Sequence, residues 1–351
     1  MNRFKTRPAR PHSAGIRPRL LAAALALAAL SAAAGCSATA PAPAPAASAA
    51  AATPAPAASA SSATSTSTGT VASTVASTGA NTGATCNPYA SSLAPLPGTP
   101  QVTPGSFMAT IKQRGHLVAG VDANTYHFEY FNPRDGNFEG FDIDMIQAVA
   151  RAIFGSDIAG RIQYKAITDD DRIPDVNNGT VDIVAHTMTI TCDRLKQVDF
   201  SSVYFDAHRR VLVLDSSHAN GLNDLGGQPV CATKGSDSVG SIESAPSHPK
   251  LVLAPYITDC LVMLQQGQVA AVCSDDTILE GLVAQDPFTK IVGPDLTDEP
   301  YGLAISSTHP DFVRFVNAVL ENERTSGAWK ASYVTWVGSP APQPPPVGYA
   351  S

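Results

Sequence analysis

The chain has 351 residues, of which 44% are hydrophobic and 15% charged, and its net charge is −7 at pH 7. This mild negative charge argues against nucleic-acid binding, which requires a basic surface. The six cysteines and eight histidines form no CxxC pair, no zinc-ligand spacing and no HExxH motif, so we expect neither a metal nor a cofactor.

The N-terminal segment has the pattern of a secretory signal. Basic residues precede the apolar run LLAAALALAAL at 20–30, which is short and rich in alanine compared with the roughly 20 apolar residues of a membrane span. Small residues then lead to Cys36, and AAGC resembles a bacterial lipobox, except that Ala33 stands where leucine is usual. We expect residues 1–35 to be a signal peptide and Cys36 to carry a lipid that anchors the protein to the membrane; ordinary secretion is the alternative.

Two further segments are expected to be disordered. Residues 36–99 consist largely of Ala, Pro, Ser and Thr, with almost no charge, so burial cannot offset the entropy lost on ordering. We interpret them as a tether, and residues 339–351 as a Pro-rich tail that is either disordered or lies along the surface of the domain. The remaining residues, about 100–338, suffice for one domain of two lobes.

Strands and helices alternate along this remaining part. The predicted strands are HLVAGVD (116–122), RIQYKAI (161–167), TVDIVAHTMTI (180–190), RRVLVLD (209–215), QPVCATKG (228–235) and QVAAVCSDD (268–276). The predicted helices are GFDIDMIQAVARAIFG (140–155), TILEGLVAQD (277–286) and a C-terminal pair over 311–337, broken near Ser326 and Gly327. This order predicts α/β layers with mostly parallel sheets, in which ligands lie at the carboxyl ends of strands.

The stretch TMTITCDR, at 187–194, places polar side chains at one such strand end. Alternation predicts that Thr187, Thr189 and Thr191 form a row of hydroxyls on one face of an extended segment, with Arg194 just beyond. Threonine is common in strands and Arg194 could pair with a neighbouring acid, so these residues alone leave a structural role open. Other predicted strand ends carry Asp122, residues 234–238 and Asp275.

Several segments together resemble the polar amino-acid-binding proteins of ABC transporters, solute-binding protein family 3, and in particular the glutamate- and glutamine-binding lipoproteins of high-GC Gram-positive bacteria. The segments are GFDIDM, RIP…NGTVDIVAHTMTITCDRLKQVDFS, VCATKGSDS, VAAVCSDDTILEGL and DEPYGLAI. The resemblance implies an α/β, two-lobed periplasmic-binding-protein-like (type II) clamshell with two hinge strands. Lobe 1 would comprise residues 100–207 and 301–338, and lobe 2 residues 208–300, with crossings near 206–209 and 299–301.

The resemblance also implies which residues bind the ligand. Arg194 would take the α-carboxylate of an amino acid with help from Thr189, because a guanidinium matches a carboxylate bidentately. Thr187 and Thr189 would help to receive the α-ammonium, and Asp275 would pair with it from the opposite lobe. A zwitterion would then favour the closed state. Capping of the following helix is the alternative role for Asp275.

The side-chain specificity remains open in the sequence. Arg172 falls where members that bind acidic amino acids place an arginine on the distal carboxylate, whereas Asp169 in the same turn could neutralise it or attract a basic or amide ligand. Asp237 stands where the family has a small hydroxyl residue and would repel an acidic ligand. Ser236 can still donate, and Lys234 could compensate for Asp237 or simply be exposed.

Further expectations concern the loop after the first strand and the cysteines. Asp122 and Tyr126 lie on the loop that covers the ligand in the family. The sequence agrees equally well with a position of Tyr126 in the core. His186 is expected to be structural or exposed. Because the family packs the elements that carry Cys231 and Cys260 together, we expect these two to form one disulfide. We expect Cys86 and Cys192 to form another, which would leave Cys273 as a buried free thiol.

We therefore expect a monomeric, non-enzymatic receptor that delivers glutamate, aspartate or their amides to ABC permease subunits. A sensor that signals amino-acid levels to a membrane partner is the first alternative. An enzyme on the same fold is the second, although no GxSxG nucleophile motif is present in the sequence.

Overall fold

A computed structural model describes residues 86–350. The expected signal peptide, Cys36 and most of the expected tether lie outside these residues. No helix within the described part has the length and hydropathy that a membrane span requires.

The first part of the described chain forms most of lobe 1 and then enters the hinge. Its elements in chain order are α1 (Phe107–Arg114), β1 (Leu117–Val121), β2 (Asn124–Thr125), β3 (Glu129–Asn132), β4 (Asn137–Glu139), α2 (Phe141–Phe154), β5 (Ile162–Ala166), α3 (Arg172–Asn177), β6 (Ile183–Val184), β7 (Asp199–Phe200) and β8 (Phe205–Leu214). Three single-turn 3-10 helices lie in connecting segments at Pro88–Ala90, Arg194–Lys196 and Leu222–Asp224.

The second part forms lobe 2 and then returns to lobe 1. Its elements are β9 (Pro229–Thr233), α4 (Ser238–Glu243), β10 (Lys250–Ala254), α5 (Ile257–Gln265), β11 (Ala271–Asp275), α6 (Asp276–Gln285), β12 (Thr289–Val292), β13 (Asp298–Tyr301), β14 (Ala304–Ile305), α7 (Pro310–Ser326) and α8 (Ala328–Trp336). The break between the last two helices lies at Gly327, as the sequence predicts.

The lobe 1 sheet has the strand order β5-β1-β6-β14-β7. Strand β1 pairs in parallel with β5 and β6, whereas β14 pairs in antiparallel with β6 and β7. Helix α2 follows the hairpin of β3 and β4 and begins after Gly140, whose φ is 133°. A Cβ atom at Gly140 would lie 2.1 Å from the Phe128 carbonyl oxygen, so only glycine fits this entry into the helix.

Helix α2 buries one apolar face against α7 and α8. Its Phe141, Ile146 and Val149 are inaccessible to solvent and belong to the same core cluster as Phe312 and Trp329. Burial of such a side chain contributes roughly 1.5–3 kcal/mol relative to exposure. This packing joins the two ends of the chain into one lobe.

The lobe 2 sheet has the strand order β10-β9-β11-β8-β12. Strand β9 pairs in parallel with β10 and β11, and β8 pairs in antiparallel with β11 and β12. The parallel strands end at Thr233, Ala254 and Asp275, and their carboxyl ends place the following loops toward lobe 1.

The two lobes are connected by a pair of neighbouring strands. The first half of β8 pairs in antiparallel with β13, with Phe205 opposite Tyr301 and His208 opposite Asp298. The second half of β8 belongs to the lobe 2 sheet, and β13 leads directly into β14 of lobe 1. The predicted two-lobed α/β clamshell with two hinge strands is thus confirmed.

The cysteines pair as expected. Cys86 bonds to Cys192 and Cys231 to Cys260, with Cα–Cα distances of 5.9 and 5.6 Å, and Cys273 is a buried free thiol. The first bond ties the beginning of the described chain to the segment that contains Arg194.

The expected disorder is wrong over residues 86–99, and residues 339–350 form an ordered tail that lies along the domain surface, which is the second of the two expectations for this segment. Ala350 N donates to the Ser92 carbonyl at 2.8 Å, and Gly348 N donates to the Tyr89 carbonyl at 3.1 Å. The Ser92 hydroxyl in turn donates to the Phe200 carbonyl at 2.7 Å. Main-chain hydrogen bonds between the two segments, and their attachment to lobe 1, provide the order that their composition alone does not.

Candidate functional site

The two lobes touch each other across their strand ends. The Thr233 hydroxyl of lobe 2 donates to the Asp169 carboxylate of lobe 1. The guanidinium groups of Arg172 and Arg194 both donate to the Gly235 carbonyl, each at 3.3 Å. The cleft is therefore closed, with loops of lobe 2 seated on the arginines of lobe 1.

Arg194 lies at this contact, as the sequence predicts for a cleft residue. It begins a single helical turn and is buried, with Nη1 donating to the Thr189 carbonyl at 2.7 Å. Its Nη2 lies 3.7 Å from Asp237 Oδ1 of lobe 2. The guanidinium therefore has one side fixed by its own lobe and another directed at the opposite lobe.

The expected row of three hydroxyls before Arg194 is wrong. Strand β6 ends at Val184, and Thr187 has a left-handed φ of 40°, which interrupts the alternation of an extended segment. The Thr187 hydroxyl faces Glu129 Oε1 at 3.4 Å, that of Thr189 donates to Glu299 Oε2 at 2.8 Å, and that of Thr191 accepts from the Arg194 backbone N–H. The three hydroxyls thus have three different environments.

A residue that the motif analysis missed, Arg209 on β8, organises the hinge side of the cleft. It is 1% exposed, and its Nε donates to Asp275 Oδ1 at 2.7 Å. Its Nη2 lies 2.8 Å from Glu299 Oε2 and 3.1 Å from Asp237 Oδ1. One guanidinium thus pairs with three carboxyl groups, which we call the Arg209 network.

The sequence contains a signal for this buried arginine. In β8, Phe205 and Ala207 are buried, whereas Asp206 is exposed and His208 is half-buried. Arg209 is in phase with these apolar residues, so the strand period alone places its side chain on the buried face. A buried cation requires anionic partners. The position of Arg209 on the buried face therefore predicts that acidic side chains lie next to it.

The acids of the Arg209 network differ in ionisation. Burial raises the pKa of Asp237, but Arg209 and Arg194 outweigh burial and hold that pKa well below its usual range. Burial, together with repulsion from Asp237 and Asp275, raises the pKa of Glu299 to about 8. At neutral pH Glu299 therefore holds a proton.

Asp275 faces the network and does not cap the helix that follows it. Although Asp275 occupies the N-cap position of α6, its side chain makes no capping hydrogen bond. Its Oδ2 accepts from the Tyr301 hydroxyl at 2.7 Å, while Asp276 accepts from the Thr277 backbone N–H at 2.8 Å. The capping alternative is therefore wrong for Asp275, and the chain of contacts Arg194–Asp237–Arg209–Asp275 connects the two predicted ligand residues.

Two of the cavities at the contact between the lobes share Asp169. The smaller one, about 30 Å³, is lined by Asp122, Thr125, Thr168, Asp169, His186, Thr187, Thr233, Pro255, Tyr256, Ile257, Ser274 and Ile278. The larger one, about 340 Å³, is lined by Asp169, Asp170, Arg172, Ile173, Pro174, Met188, Arg194, Gln197 and Gly235. Asp169 contributes to both, so the structure brings the predicted residues of lobe 1 together around a common position.

Arg172 is already paired within lobe 1. It is 3% exposed, and its Nη1 lies 2.9 Å from Asp169 Oδ1. Burial opposes ionisation of Asp169, yet Arg172 and His186 hold the pKa of that carboxyl below its usual value. Asp169 thus neutralises Arg172, which is one of the two roles considered for it from the sequence.

Glu129, an acidic residue next to His186, was not predicted from the sequence. His186 is buried, and its Nδ1 lies 3.6 Å from Asp169 Oδ1 and 3.9 Å from Glu129 Oε1. Burial, together with the charges of Asp142 and Asp122, raises the pKa of Glu129 well above its usual value. His186, which contacts both acids, lines the smaller cavity and therefore borders the cleft.

The remaining residues named from the sequence make local contacts, except for Lys234, which pairs with lobe 1. Asp122 is buried and accepts hydrogen bonds from the Ala123 backbone N–H and from the Thr125 hydroxyl, at 2.6 and 2.8 Å. Tyr126 is 37% exposed and does not belong to the core. The Ser236 hydroxyl donates to the Thr233 carbonyl at 2.8 Å and closes the loop after β9. The exposed Lys234 pairs across the cleft with Asp170 at 2.5 Å.

The geometry agrees with comparisons to known proteins. The ABC transporter glutamine-binding protein GlnH of Bacillus subtilis is 36% identical over 232 residues, which cover 66% of this chain and 84% of GlnH. The glutamine-binding protein of Geobacillus stearothermophilus is 37% identical over 194 residues, 55% of this chain and 73% of the relative. The solved structure of an ancestral arginine-binding protein bound to glutamine has a TM-score of 0.60 and 31% identity, and covers 64% of this chain and 99% of that one. Residues 117–339 match the description of bacterial extracellular solute-binding proteins, family 3, and the chain belongs to this family.

Proposed function

We propose that this protein binds a free polar amino acid between its lobes and delivers it to an ABC importer. The observation that carries the proposal is the position of Arg194, a buried guanidinium of lobe 1 that meets the Gly235–Asp237 loop of lobe 2 at the closed cleft. A fixed cation shared by two lobes can bind a carboxylate and couple its binding to closure. The relatives named glutamine-binding proteins support the ligand class.

In this proposal Arg194 binds the α-carboxylate and Asp275 the α-ammonium. Thr189, Thr187 and Ser236 assist through hydroxyl or main-chain groups. Asp275 already accepts hydrogen bonds from Arg209 and Tyr301. The ligand ammonium therefore joins an existing network as an additional donor.

For the ligand side chain we propose a preference for an amide, with glutamine above glutamate and aspartate. Asp169 lies 2.9 Å from Arg172 and neutralises it, so little net positive charge remains to attract a second carboxylate. Asp122 adds a further carboxylate to the wall of the smaller cavity. An amide can accept from Arg172 and donate to Asp169, which satisfies both groups.

The proposal extends to the organisation of the chain outside the cytoplasm. Members of the family are extracellular. We propose that a lipid on Cys36 anchors the chain to the cell membrane and that the segment after it acts as a tether. Residues 100–207 and 301–338 would move as one lobe and 208–300 as the other, as a monomer that docks on permease subunits.

Calorimetry with the twenty amino acids tests the proposal directly. We expect a dissociation constant near 1 μM for glutamine, which corresponds to about −8 kcal/mol. Mass spectrometry of the ligand released from the complex should recover it unchanged, because we propose binding without turnover. Uptake of labelled glutamine by cells with and without the gene separates import from sensing, since a sensor leaves uptake unaltered.

A further inference from the structure

Asp237 occupies a position from which it contacts the cations of the cleft. It directly precedes helix α4, yet its side chain makes no capping hydrogen bond. Instead its Oδ1 lies 3.1 Å from Arg209 Nη2 and 3.7 Å from Arg194 Nη2. The carboxylate of lobe 2 thus lies between an arginine of the hinge and an arginine of lobe 1.

Around this carboxylate three arginines are matched by three aspartates. Arg172 pairs with Asp169, Arg194 and Arg209 with Asp237, and Arg209 also with Asp275. Glu299 carries a proton at neutral pH because its pKa is raised to about 8. A zwitterion leaves this balance unchanged, whereas an amino acid with a second carboxylate adds one uncompensated negative charge.

We propose that Asp237 is a specificity-determining residue that pairs with Arg194 in place of a ligand carboxylate and thereby selects against acidic amino acids. This inference rests on the proposed function, because it takes Arg194 as the receptor of the α-carboxylate. An incoming carboxylate must share Arg194 with Asp237 or displace it. Two carboxylates at one guanidinium repel each other, and this lowers affinity for every amino acid and most strongly for those with a further carboxylate.

The network can tolerate loss of the Asp237 charge. Repulsion from Asp237 is one cause of the raised pKa of Glu299. Without that charge Glu299 ionises more readily, and it already lies 2.8 Å from Arg209. Arg209 therefore keeps two anionic partners, Glu299 and Asp275, and the variant is expected to fold.

The test is calorimetry of the full chain with glutamine and with glutamate. Asp237→Asn keeps the size of the side chain. We expect this variant to bind glutamine more tightly than the wild type does, and its affinity for glutamate to increase by about tenfold more than its affinity for glutamine. The preference for glutamine over glutamate should therefore become smaller. Asp237→Ser is a second variant, with the small hydroxyl residue that the family usually has here. Asp295→Asn is the matched control, because Asp295 pairs with Arg210 at the exposed surface.

The possible results lead to different conclusions. Weaker glutamine binding in both Asp237 variants would mean that this carboxylate receives the ligand ammonium, and an unchanged glutamine-to-glutamate ratio would mean that it plays no part in selection. Either result overturns the inference while leaving the amino-acid receptor intact. Failure of the wild type, the control and both variants to bind any amino acid would overturn the proposed function together with the inference.

Discussion

Arg209 and Asp275 face each other on neighbouring antiparallel strands, and Arg209 Nε donates to Asp275 Oδ1 at 2.7 Å. The first lies on the strand that leaves lobe 1, and the second is the last residue before α6 of lobe 2. The carboxylate proposed to receive the ligand ammonium is therefore held by a hinge residue. The orientation of Asp275 therefore depends on the Arg209 guanidinium.

Arg194→Ala should abolish binding of every amino acid. The substitution removes the cation proposed to receive the α-carboxylate, and no uncharged group replaces its bidentate hydrogen bonds. Calorimetry with glutamine checks this expectation. Arg210→Ala is the control, because Arg210 forms a surface pair with Asp295 and should bind as the wild type does. Undiminished affinity in Arg194→Ala would refute the assignment of the carboxylate site.

Arg209→Met should destabilise the fold strongly. The side chain is 1% exposed, and its loss leaves Asp237, Asp275 and Glu299 close together without their shared cation. Removing one partner of a buried ion pair costs about 3–5 kcal/mol. Urea denaturation measures the loss, and Arg134→Met at an exposed turn should stay within about 0.5 kcal/mol of the wild type. An equally small effect at both positions would show that the Arg209 network contributes little to stability.

Much of the architecture is predictable because it depends on local periodicity. The strand of residues 117–121, helix α2 and the break at Gly327 follow from apolar spacing and from helix ends, and the structure has them where the sequence predicts. The Cys231–Cys260 bond follows from the family packing, and it forms as expected, as does the Cys86–Cys192 bond. Local patterns and a familiar topology are sufficient for these features.

The departures arise from tertiary contacts. The left-handed φ of Thr187 is rare for a β-branched residue, so the alternation of threonines predicts a strand that the backbone does not form. The partners of Arg209 come from separate loops and strands, as far along the chain as Glu299. The ordered tail depends on hydrogen bonds to Tyr89 and Ser92, about 260 residues earlier in the chain. None of these contacts leaves a periodic signal.

Loss of the Cys86–Cys192 bond should destabilise the domain and release its N-terminal segment. The bond closes a sequence separation of 106 residues, and removal of such a cross-link typically costs about 2–4 kcal/mol because the unfolded chain gains freedom. Cys86→Ala, Cys192→Ala and the double variant should lose the same amount, since each removes the bond. Chemical denaturation gives the free energies, and hydrogen exchange of residues 87–92 should increase. Unequal losses among the three variants would mean that one cysteine stabilises the fold by other contacts.

Glu299→Gln should change how stability depends on pH. Burial and repulsion from Asp237 and Asp275 raise the pKa of Glu299 from 4.5 to about 8, so between these values the folded chain holds a proton that the unfolded chain releases. The contribution of Glu299 to stability is therefore complete below pH 4.5 and is lost as the pH rises through 8. The glutamine variant stays neutral at every pH, so its free energy of unfolding should rise relative to that of the wild type between pH 5 and pH 8.5. Denaturation at a series of pH values measures this difference. Glu243 is exposed, and Glu243→Gln is the matched control. If the difference in free energy of unfolding between the wild type and Glu299→Gln does not vary with pH, then Glu299 is ionised in the folded chain. The closed cleft would then carry one more negative charge than proposed above.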